Sequence, residues 1–128
     1  EIEQHIQTIE KAMLEIETIS NSKNSSPQNN NQLIRWINTK EQHAQLIQNT
    51  ISNYFLSQRI KPKNIDEANY NNYVDLTTTC QKIIFTSMKT KQHVDLKFII
   101  QLRELLDFFS YLYFDEHGLN HLMQLKTK

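Results

Sequence analysis

The chain reads as an all-α protein, an antiparallel (up-down) four-helix bundle with a long flexible linker between helices 1 and 2. Three observations predict this. Apolar residues recur at alternating intervals of three and four through four separate segments, which is the period of one face of a helix. Glycine occurs once and proline twice in 128 residues, and turn-rich β architectures draw heavily on both. Both prolines, Pro27 and Pro62, fall between the periodic segments and not inside them, where proline would break a helix.

Helix 1 is expected over 1–20. Ile2, Ile6, Ile9, Met13 and Ile16 form a heptad seam, widened by Ala12, Leu14 and Ile19. The seam suits one helix of a bundle and is shorter than a free coiled coil requires. Pairing of this seam between two copies is the route it offers to a homo-oligomer. Residues 21–31 (NSKNSSPQNNN) hold no apolar side chain. They cannot offset their ordering entropy by burial and read as a mobile linker, with an asparagine capping the next helix.

Helix 2, over 31–60, resumes the seam through Leu33, Ile37, Ala44, Ile47, Ile51 and Tyr54, with Lys40 in its one polar slot. Pro62 ends it, because proline disfavours helical geometry in the residue before it. Helix 3, over 66–89, opens on Asp66 as a cap, with Ile65 as a hydrophobic staple. Its stripe is Tyr70, Tyr73, Thr77, Cys80, Ile84 and Met88. Thr77, Thr78 and Thr79 are poor helix formers, and a strand over 74–79 is the competing assignment.

Helix 4, over 93–117, has Asp95 in its first turn and the only glycine, Gly118, at its left-handed end. A short helical tail follows over 119–125. Helix 4 is apolar around nearly its whole circumference, so part of it is expected to face a partner. Phe108, Tyr111 and Phe114 are the candidate partner-binding residues. The apolar run from Phe98 to Phe114 also carries Gln101, Arg103, Glu104 and Asp107, which excludes a membrane span.

Charge and composition narrow the function classes. Lys plus Arg and Asp plus Glu number 14 each, so the basic excess of a nucleic-acid binder is missing. Tyr70 and Tyr73 could stack on bases but have no basic groove beside them. With a single glycine, phosphate-cradling loops are excluded. The lone Cys80 cannot form an internal disulfide and suits a reducing, cytoplasmic setting. The start at Glu1 without a methionine reads as a domain taken from a larger protein. Abundant Asn, Ile and Lys beside scarce Gly, Ala, Arg and Pro are the mark of an AT-rich genome.

Sequence reasoning finds no catalytic or metal site and calls for no cofactor. His117 and His121 lie four apart, but Gly118 interrupts them and no third ligand is near. The pairs Glu1/His5 and His93/Asp95 are weaker. Cys80 sits on a buried stripe, where a thiol is an inert small hydrophobe. Glu104, Asp107 and Asp115 read as a polar edge. The expectation is therefore a non-catalytic interaction module, an adaptor, scaffold or assembly subunit that binds a protein partner.

The alternative is a peripheral membrane-targeting domain that binds an anionic phosphoinositide headgroup. Arg59, Lys61 and Lys63 at the helix 2–3 turn would join Lys126 and Lys128 at the chain end, with Leu122 and Met123 inserting. Residues 1–20 carry five glutamates and one lysine while the remainder has a basic excess. Helix 1 is accordingly expected against a basic face.

Overall fold

The computed structural model describes residues 1–117, with side chains through Phe114. Four helical rods follow one another: α1 (Ile2–Ser20), α2 (Pro27–Asn49, continued by a π-helical segment Thr50–Arg59), α3 (Tyr70–Gln92) and α4 (Lys97–His117). Among the described residues there is no strand, so the competing strand over 74–79 is helix. The threonine run is tolerated there because hydroxyls can bond back to the preceding turn, as Thr77 Oγ1 does to the Tyr73 carbonyl at 2.8 Å.

Helix ends follow local chemistry more closely than the apolar pattern suggested. α2 begins at Pro27, not near 31, because Ser26 is its cap: the Ser26 hydroxyl accepts the Asn29 N–H at 3.0 Å, and Pro27 occupies the first turn. The linker shrinks to residues 21–26. It carries hydrogen bonds of its own, including Asn29 Nδ2 to the Asn24 carbonyl at 2.6 Å. α3 begins at Tyr70, not at Asp66. Its N-cap is Asn69, held at φ 65°, a left-handed conformation that asparagine tolerates better than most residues. Ile65, expected as a staple, is 81% exposed. α4 starts at Lys97, where Asp95 Oδ1 accepts the Lys97 N–H at 2.9 Å.

The π segment redirects the end of α2. Its closing bond runs from the Ile60 N–H to the Phe55 carbonyl at 2.8 Å, five residues back. A wider turn advances the buried positions by more than the α-helical step. After Ile51 the inward residues are therefore Phe55 and Ile60, while Tyr54, which the heptad count puts on the seam, is 46% exposed.

One core joins all four rods: Ile6, Ile9 and Met13 of α1, Ala44, Ile47 and Ile51 of α2, Leu76, Cys80 and Ile83 of α3, and Ile99, Leu102, Phe109 and Leu112 of α4. α1 packs most extensively on α2, α3 on α4 and on α2, and α1 also touches α4. The buried face of α3 runs through Leu76, Cys80, Ile83, Ser87 and Thr90. It is turned by about one residue from the expected stripe, leaving Met88 40% exposed. Small hydroxyl residues take positions that an apolar count overlooks.

The acidic α1 does meet a cation of α4. Arg103 donates from Nε to Glu3 and from a terminal nitrogen to Glu10, both at 3.0 Å. No helix among the described residues is long and apolar enough to cross a membrane.

Candidate functional site

Three features gather the chemistry-bearing residues. The first is an aromatic bay of about 660 Å³ where the start of α1, the π segment and the end of α4 meet. Tyr54, Phe55, Leu106, Phe109, Tyr113 and Phe114 line it, with Glu1 and Glu3 on its wall. Phe55 sets its edge against the rings of Phe109 and Tyr113, which stack on each other with centroids 5.7 Å apart. Arg59 donates from Nε to the Tyr113 hydroxyl at 3.1 Å and lies over the Tyr54 ring. Phe55, within the π segment, packs partly buried against the core beside the bay.

The second is a histidine pair between α1 and α2. His5 Nδ1 and His43 Nδ1 are 2.9 Å apart, and both rings are partly exposed. Sequence reasoning weighed His5 only against Glu1, its neighbour one turn away, since nothing in the sequence signals a contact across 38 positions. Burial, and then the neighbouring His5, hold His43 below the usual histidine range.

The sign of the pH effect follows. The unfolded chain takes up the His43 proton near pH 6.5 and the folded chain only below that. The stability tied to neutral His43 is complete above about pH 6.5 and is lost as pH falls through the lower folded value. Between pH 7.5 and 5 the melting temperature of the wild type should therefore fall more than that of His43→Asn. Parallel melting curves would sink this assignment.

The third feature is Lys40, the polar member of the α2 seam. It is buried at 3% exposure, and its Nζ donates to the carbonyls of Thr90, Lys91 and His93 at 2.6, 2.7 and 3.1 Å. These are the open acceptors at the C-terminal end of α3, where a cation is favoured. Burial lowers its pKa, with Glu41 opposing the shift.

The other predicted residues scatter. Phe108, Tyr111 and Phe114 are indeed exposed, at 48%, 63% and 46%, and Phe114 belongs to the bay. Arg59, expected at a lipid headgroup, is engaged by Tyr113 and Tyr54 instead. Lys61 is exposed and Lys63 half-buried. Leu122, Met123, Lys126, Lys128, Gly118 and His121 lie outside the described residues, as does the tail over 119–125.

Fold and site thus define an all-helical protein with an aromatic bay at one end. Residues 1–117 match the model of the family described as nickel-containing superoxide dismutase, and the chain belongs to that family. No curated protein and no solved structure matches it. Membership overturns the expectation of a non-catalytic interaction module, together with its adaptor, phosphoinositide-binding and membrane-targeting readings. It points to an enzyme, and the family's description names a metal where sequence reasoning called for none.

Nickel sets a test for the residues present. It is held by several imidazole, thiolate or amide donors converging on one point. Among the described residues no group of three His, Cys, Asp or Glu side chains converges in this way. The one cysteine, Cys80, lies at 0% exposure in the core. Burial pushes its thiol up to about 12, whereas a metal takes the thiolate. The described residues do not fit a nickel ion.

Proposed function

We propose that this chain is the helical framework of an enzyme that disproportionates superoxide, converting two superoxide anions and two protons into dioxygen and hydrogen peroxide. The family match over residues 1–117 carries this reading. The framework's part is mechanical: a packed core and the Arg103 clamp from α4 to α1 hold the bundle end that bears the bay, and the Lys40 cap on α3 secures the other end. Cys80 is closed off and no donor triad exists among the side chains described, so none of these is assigned as a nickel donor.

The four helices are read as an up-down bundle. Packing between successive helices and the contact of α1 with α4 support that arrangement.

Superoxide decay after pulse radiolysis, measured on the full-length protein with its nickel content determined in the same sample, tests the activity. A decay rate that scales with nickel is the expected result. A nickel-loaded protein that removes superoxide no faster than its metal-free form would overturn the reading. Cys80→Ser should leave the nickel stoichiometry unchanged, and loss of nickel in that variant would place a donor at Cys80.

A further inference from the structure

We infer that the aromatic bay binds a small organic cation, a quaternary ammonium ion with a flat apolar body. The site is independent of the superoxide reading. Its space of about 660 Å³ falls within the range of small-molecule pockets, about 300–1,000 Å³. The rings around it do not form one flat stack. Phe55 meets Tyr54 at 82° and Phe109 at 75°, and Phe114 meets Tyr113 at 81°. Neighbouring rings set near right angles make corners, so the faces and edges of several rings border the same space. Tyr54 and Phe114 are each 46% exposed, which leaves them open to a ligand arriving from solvent.

Charge selects the ligand. The described residues that line the bay include two carboxylates, Glu1 and Glu3, and no Lys, Arg or His. Glu3 gives one oxygen to Arg103, whereas Glu1 makes no ion pair among the described residues. The negative faces of aromatic rings attract a cation as well. Arg59 shows this at the rim, with its guanidinium carbon 5.9 Å from the centre of the Tyr54 ring. A quaternary ammonium ion gives up little hydration on entering such a site and gains from both the rings and the carboxylates. An anion meets repulsion from Glu1 and Glu3, and a neutral molecule gains apolar burial alone.

The test uses three probes that share a naphthalene body and differ in charge: naphthylmethyl-trimethylammonium, naphthylmethanol and naphthylacetate. Each is titrated into the full-length protein and followed by calorimetry. The cation should occupy one site about fivefold more tightly than the neutral probe, with the acetate weakest. Phe114→Ala and Glu1→Gln should each weaken the cation about two- to fivefold, and Glu1→Gln should leave the neutral probe unchanged. Tyr54→Ala serves as the second ring variant if Phe114→Ala fails the circular dichroism check. Phe85→Ala, at an exposed ring of α3 outside the bay, should bind as wild type does. Equal affinity for the three probes, tightest binding of the acetate, no binding of the cation, or cation affinity unchanged in the folded bay variants would each overturn the proposal.

Discussion

Lys40→Met is expected to lower the melting temperature by about 10 °C, a large loss for a substitution that keeps nearly all of the side chain's apolar stem. The ammonium satisfies the carbonyls of Thr90, Lys91 and His93 at once. Methionine fills similar space and leaves those acceptors without a donor. Charge-assisted hydrogen bonds contribute about 1.5–3 kcal/mol net, and a stranded buried acceptor costs a similar amount. A cost of about 3 kcal/mol corresponds to about 10 °C in a domain of this size. Lys40→Arg should recover part of the loss, because a guanidinium can still donate to several carbonyls. Thermal melts of the three proteins check this, and a Lys40→Met protein within about 2 °C of wild type would show that water replaces the ammonium at α3.

Phe109→Ala should cost about 3–5 kcal/mol, the range for removing a buried phenylalanine ring from a packed core. Phe109 is 4% exposed and contacts both Phe55 and Tyr113 through its ring. Its loss removes the floor of the aromatic bay and the partner that keeps Phe55 turned inward. Near-ultraviolet circular dichroism should weaken along with stability, since the environments of Phe55 and Tyr113 change together. Urea titration reads the free energy. A cost below about 1 kcal/mol would mean that Phe55 and Tyr113 close over the gap.

Helical character was legible residue by residue. The period of three and four in α1, the prolines outside the rods and the scarcity of glycine all act locally, through backbone preference and burial of one face. The α1 seam of Ile6, Ile9, Met13 and Ile16 is the buried face observed. The thiol of Cys80 was placed in the core for the same reason. In α3 the apolar periodicity misled. α3 buries Ser87 and Thr90, small residues that an apolar count passes over although they fit between close helices.

The candidate sites were much less legible. Lys40 showed in the sequence as a polar gap in a seam, with no indication that α3 would end beside it. His5 and His43 are ordinary histidines on two helices until packing brings their nitrogens together. Family membership came from the match over residues 1–117, and none of the residue spacings weighed in the sequence pointed to it.

The sequence by itself determined that this protein is helical, roughly where its rods lie and which face of α1 is buried, because those properties depend on neighbours within one or two turns. Tertiary structure alone decided that Phe55 and not Tyr54 packs against the core, that Lys40 caps α3, and that His5 meets His43. Each of these depends on the turn geometry of the π segment or on contacts between residues far apart in the chain, and neither is written in local composition.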